Sequence, residues 1–156
     1  MEKTEKKKET FIYEGLGFPV ELIDCPMKKI MGEWVIDINL AALQRFVFQG
    51  LIHKPHPLTG KELRFMRKFL EMSTTEFGKK LGVSHAAVVK WEKEQSRLSP
   101  AQEPYIRLFL CERFKDSELI RIYKEIRPDL LIHSRSEHKK PALFQVNIKD
   151  LDVANF

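Results

Sequence analysis

Between residues 59 and 114 apolar side chains recur every three to four positions, and a hydroxyl residue precedes each run. Thr59-x-x-Glu62, Ser73-x-x-Glu76 and Ser99-x-x-Gln102 have the form of a capping box, in which the N-cap hydroxyl and the N3 side chain each accept a backbone N–H of the other residue. Pro100 follows Ser99, where a missing N–H is harmless, and Ser84 supplies a fourth N-cap. The four starts predict short helices over 60–72, 74–81, 85–93 and 100–114. In the first, Leu63, Met66 and Leu70 form an apolar stripe that Phe65 and Phe69 widen, with Arg64, Arg67 and Lys68 placed outside it.

The pattern on either side is different. Phe11–Tyr13, Val20–Ile23 and Trp34–Ile38 are short β-prone runs punctuated by Gly15, Gly17 and Gly32, and they predict a small antiparallel sheet. Asn39 then caps a helix through His53, and Lys54-Pro55-His56-Pro57 breaks it. Beyond Lys115, residues 117–127 read as helix up to Arg127-Pro128, and 134–141 as a polar loop. Leu143–Ile148 alternates like a strand that adds to the N-terminal sheet or to a partner subunit. The chain is therefore expected to be mainly α with a small β portion, of the α+β class. Its parts are a disordered charged tail over 1–10, an N-terminal β/α dimerisation or partner-binding region over 11–57, a helical domain over 58–115, and a C-terminal helix and strand over 116–156 that serve dimerisation.

The segment from Thr74 to Glu92 meets the three steric demands of a helix-turn-helix. Gly78 is the small residue that lets two helices cross closely, and Gly82 tolerates the positive φ of a tight turn. Phe77, Leu81, Val83, Val88 and Trp91 supply the contacts between the helices, with Trp91 a core plug rather than a stacking platform. His85, Ala86, Val89, Lys90 and Lys93 are left facing outward.

Charge sharpens this picture. The 156 residues carry a net charge of +5, and 59–98 hold nine Lys and Arg against five Glu, nearly the whole excess. A basic segment of this kind favours a polyanionic partner. With 43% apolar and 31% charged residues the composition is that of an ordinary folded protein. No apolar run reaches the roughly 18 residues that span a bilayer, and the start of the chain lacks the pattern of a signal peptide, so a cytoplasmic location without membrane contact is expected. Cys25 and Cys111 are too few for a disulfide scaffold and read as small buried apolar groups.

Residues 58–110, LTGKELRFMRKFLEMSTTEFGKKLGVSHAAVVKWEKEQSRLSPAQEPYIRLFL, resemble an Xre/Cro-type helix-turn-helix domain, and more narrowly the C-terminal domain of MqsA-type antitoxins. The preceding YEGLGFPVELIDCP is weakly similar to the segment that leads into the zinc ribbon of that family. The ribbon's paired Cys-x-x-Cys ligands are missing, since only Cys25 stands there. Tetrahedral zinc needs four ligands, and His53 and His56 sit in a Pro-rich setting, so no metal and no cofactor are expected.

The resemblance implies a five-helix DNA-binding domain that works as a homodimer on a pseudo-palindromic duplex operator, represses transcription, and regulates its own operon as the antitoxin of a toxin protein. A free-standing, ligand-responsive regulator is the alternative. In either case helix 85–93 enters the major groove. His85 contacts a purine edge, Ala86 and Val89 pack on a thymine methyl, and Lys90 reaches a guanine edge or a phosphate. Thr74 and Thr75 offer hydroxyls and helix N-terminal N–H groups to a phosphate, while Lys79, Lys80, Lys93 and Arg97 position the backbone. Ile106, Leu108, Phe109, Leu119 and Ile122 are candidates for the dimer surface. The five histidines are scattered and accompanied by no nucleophile elbow or phosphate loop, so no enzyme is expected.

Overall fold

A computed structural model describes residues 3–114 and 143–153. It is an α+β chain with a four-stranded sheet and, among the described residues, six helices. The chain divides into two compact units, one formed by residues 1–47 with 142–156 and the other by 48–141. The expected helix over 117–127, the loop over 134–141, and Leu119 and Ile122 lie outside the described residues.

The first unit is built on a long central strand. Strands β1 (Lys6–Tyr13), β2 (Val20–Ile30) and β3 (Glu33–Ile36) form an antiparallel meander, and β4 (Phe144–Asn147) pairs with β2 in parallel, Val20 opposite Phe144. Three sequence features set its shape. The β2–β3 hairpin turns on Met31 and Gly32, both at positive φ, as a two-residue turn matched to strand twist requires. A bulge sets Ile23 and Asp24 against Thr10, whose hydroxyl accepts the Asp24 N–H at 3.0 Å. That extra residue switches the buried side of β2 from Val20 and Leu22 to Cys25 and Met27, which is why no simple alternation runs through it. The strand β1 also begins inside the expected disordered tail. Lys6–Glu9 pair with Lys28–Cys25, Lys7 lies 3.0 Å from Glu9, and its Nζ stands 4.4 Å over the Trp34 ring. A charged tract is held here by ladder bonds that its composition does not disclose.

Helix α1 (Leu40–Ile52) starts where Asn39 Oδ1 accepts the Ala42 N–H at 3.1 Å, and the chain divides after its Val47. The second unit then runs through α2 (Gly60–Phe69), α3 (Thr74–Leu81), α4 (His85–Glu92) and α5 (Gln102–Phe114). A short helix, α6 (Ile148–Val153), closes the first unit. Each helix of the second unit starts as its hydroxyl predicts. Thr59 and Glu62 make the full capping box, Ser73 and Ser84 accept the N–H groups of Glu76 and Ala87, and Ser99 and Gln102 bond reciprocally. The ends are equally regular. After α2, α3 and α4 the residues Glu71, Gly82 and Glu94 take left-handed backbone, and the next N–H reaches back to the carbonyl of Arg67, Gly78 or Lys90.

The core of this unit packs Phe48, Leu51, Leu63, Met66, Phe77, Val88, Ile106 and Leu110 to zero or nearly zero exposure. Each such side chain contributes about 1.5–3 kcal/mol by leaving water. Phe48 stacks between Phe69 at 4.8 Å and Phe114 at 5.1 Å, so several of the eleven phenylalanines are spent on one cluster. Burying Ile106 corrects its expected place on a dimer surface, because the monomer's own core uses it.

Five charged residues, Lys54, Glu62, Arg67, Glu103 and Arg107, are buried as well. Arg107 donates to the carbonyls of Ile52, Lys54 and His56 and to Glu103, tying α5 to the end of α1 and to the Pro-rich connection. Glu103 accepts the Leu58 N–H at 2.6 Å, and Lys54 meets Glu62 at 2.6 Å. The proline-bearing connection is thus part of the helical unit rather than a linker in front of it.

Candidate nucleic-acid interface

The geometry of α3 and α4 follows from two glycines and two serines. Gly82, at φ 73°, turns the chain, and Val83 N–H closes on the Gly78 carbonyl at 2.9 Å. A Cβ on Gly78 would stand 2.8 Å from the Val83 oxygen and 3.1 Å from the Ser84 oxygen, so the close approach excludes any side chain there. Phe77, Gly78, Val88 and Trp91 are buried, and Leu81 and Val83 half-buried.

Opposite them, α4 presents its other side. At 100° per residue, His85, Ala86, Val89, Lys90 and the C-cap Lys93 fall within an arc of about 140°, away from Val88 and Trp91. His85, Ala86, Lys90 and Lys93 are exposed and Val89 half-buried. Ser84 Oγ takes the Ala87 N–H, leaving the N–H groups of His85 and Ala86 at the open end of the helix. Thr74 is half-buried and Thr75 exposed at the corresponding end of α3, and Arg97 is exposed in the connection after α4. Among the described residues no ion pair or side-chain hydrogen bond engages His85, Lys90, Lys93 or Arg97. Lys79 and Lys80 are likewise exposed, with no ion pair among the described residues. They line a cavity of about 500 Å³ with Met72, Glu76 and Arg113.

The helix α4 is held from behind by residues that the hydrophobic pattern did not single out. Arg67 binds Glu92 through two hydrogen bonds of 2.8 and 2.9 Å and donates a third to the Met72 carbonyl at 2.7 Å. This corrects its expected outward position. On the helical wheel Arg67 lies about 40° beyond Leu63, at the edge of the stripe, where spacing alone does not decide between burial and exposure. Gly60 carries the second contact. A Cβ there would stand 2.6 Å from the Glu92 carbonyl, and its N–H donates to Glu94 Oε1 at 3.1 Å. A glycine at the first position of a capped helix, where no turn needs it, is the signal of that close approach.

No group of three or more His, Cys, Asp or Glu side chains suited to a metal occurs among the described residues, and Cys25 is buried with its thiol pushed up by desolvation and then by Asp37. No helix among them is long and apolar enough to cross a membrane. Comparison with family models, characterised proteins and solved structures finds no match.

Proposed function

We propose that this protein is a sequence-specific DNA-binding repressor of the Xre/Cro helix-turn-helix type, resembling MqsA-type antitoxins, that acts as a homodimer on a pseudo-palindromic operator in the cytoplasm. One observation carries the reading. An arc of His85, Ala86, Val89 and Lys90, exposed except for the half-buried Val89 and without ion pairs among the described residues, stands on a short helix whose buried side is fixed by Trp91 and Val88 and whose last turn is held by the Arg67–Glu92 pair. A helix of this width fits the major groove of about 12 Å, and its free side chains match the donors, acceptors and methyl groups displayed there. Lys93 and Arg97, with Thr74 and Thr75, supply contacts to the strands on either side. One such helix makes few base contacts, so useful specificity calls for two, about 34 Å apart in a dimer.

The test is selection of duplex fragments by the purified chain, followed by titration of the selected site. Binding is expected to weaken with salt at about −0.9 per neutralised phosphate on a log–log scale. His85→Ala with Lys90→Ala should remove the preference for the selected site while circular dichroism stays that of the parent. Affinity independent of salt, or a preference untouched by the double substitution, overturns the proposal. For the antitoxin role, a neighbouring gene for a small basic ribonuclease is expected. The second reading, a free-standing ligand-responsive regulator, draws on the cation-lined cavity beside α3.

A further inference from the structure

The cavity beside α3 is lopsided in charge. Lys79, Lys80 and Arg113 face it with one carboxylate, Glu76, and one apolar side chain, Met72. None of the four charged groups forms an ion pair or a side-chain hydrogen bond among the described residues, although Glu76 stands four positions before Lys80, a spacing that favours pairing. Three cations around one hollow repel each other, and an anion in it would relieve that repulsion.

The hollow is also distinct from the α4 arc. Glu76 and Lys80 stand two residues before and after Gly78, which puts both roughly half a turn around α3 from it. Gly78 is the point at which the turn into α4 presses on α3, through Val83 and Ser84. The cavity therefore opens on the flank of α3 turned away from α4. On the other side it is bounded by the last turn of α5, where Arg113 sits.

We infer that this cavity is a binding site for a small polyanion carrying two or more linked phosphate groups. Its volume of about 500 Å³ falls within the range of small-molecule sites. Arg113 offers a planar fork that matches two phosphate oxygens, and the two lysines add point charges beside it. Among the described residues the lining is dominated by charge and holds no aromatic ring. Glu76 sets a threshold: a single negative charge gains little against it, whereas a multiply charged group outweighs it. The site takes Lys79 and Lys80 away from the duplex and stands whether or not the chain binds DNA.

Calorimetric titration of the whole chain with inorganic pyrophosphate and tripolyphosphate, at about 0.15 M salt, tests this. Saturable binding at one site per chain is expected, stronger for the longer probe. Lys80→Ala with Arg113→Ala should weaken it by about tenfold or more. Glu76→Gln should strengthen it severalfold, an effect that loss of fold cannot mimic. Lys93→Ala with Arg97→Ala should leave it unchanged. The inference is overturned by absence of saturable binding, by equal loss in the Lys93/Arg97 variant, or by a Glu76→Gln variant that binds no better than the parent.

Discussion

Arg67 and Glu92, twenty-five residues apart, meet as a bidentate ion pair, Nε to Oε2 at 2.9 Å and Nη2 to Oε1 at 2.8 Å, with side chains 9% and 6% exposed. The pair joins α2 to the last turn of α4, and through the Met72 carbonyl it reaches the entry to α3. It holds three helices in one arrangement that apolar packing would specify less sharply. Because both charges are out of water, neither tolerates loss of the other.

Arg67→Met is therefore expected to lower stability by about 3–5 kcal/mol, since Glu92 would stay buried without a partner. Arg67→Met combined with Glu92→Leu should recover most of that loss, short of the bond to Met72. Urea denaturation of the two variants measures the difference. A single variant within about 1 kcal/mol of the parent would show that the pair is dispensable.

Glu71→Gly should stabilise the chain. Glu71 ends α2 at φ 57°, where the Met72 N–H returns to the Arg67 carbonyl at 3.2 Å. Left-handed backbone costs a non-glycine residue about 1–2 kcal/mol, and glycine gives part of that back through the freedom of the unfolded chain. A net gain of about 0.5–1 kcal/mol in thermal or urea unfolding is expected. Glu94→Gly at the matching position of α4 should gain less, because the Glu94 carboxylate holds the Gly60 N–H.

Acid should weaken the fold partly through His53. Desolvation first, and the Arg107 guanidinium second, hold its imidazole below its ordinary value of 6.5. The unfolded chain then binds the proton more readily than the folded one as pH falls through 6.5, so the stability contribution is complete above that value and is lost below it. His53→Gln should flatten the fall in stability between pH 7 and about 5. An identical pH profile in parent and variant rules this out.

Lys93→Ala and Arg97→Ala should each reduce the salt slope of DNA binding by about 0.9 without changing which sequence is preferred. Fluorescence anisotropy at several salt concentrations reads both quantities. A shift in sequence preference from either change would mean that these cations touch base edges instead of strands.

Much of the helical unit was legible along the chain. Thr59, Ser73, Ser84 and Ser99 act within a few residues of themselves, and so do the turns at Gly82 and Gly32, because caps and tight turns are local hydrogen-bond and φ requirements. Strand β2 was only half legible. The bulge at Asp24 breaks its alternation, and a bulge is defined by the partner strand. The outward arc of α4 came from spacing alone, while Lys79 and Lys80, equally exposed, found a different setting beside Arg113.

By itself, then, the order of residues determined where the helix caps fall, which faces are apolar, and that α3 and α4 cross at Gly78. These are properties of one or two turns of chain. Only the tertiary structure decided that Arg67 and Arg107 go inside, that Gly60 meets the carbonyl of Glu92, and that Lys6–Glu9 join a sheet. The physical reason is that these charges are buried where distant partners compensate them, as Glu92 does for Arg67 and as the carbonyls of Ile52, Lys54 and His56 do for Arg107.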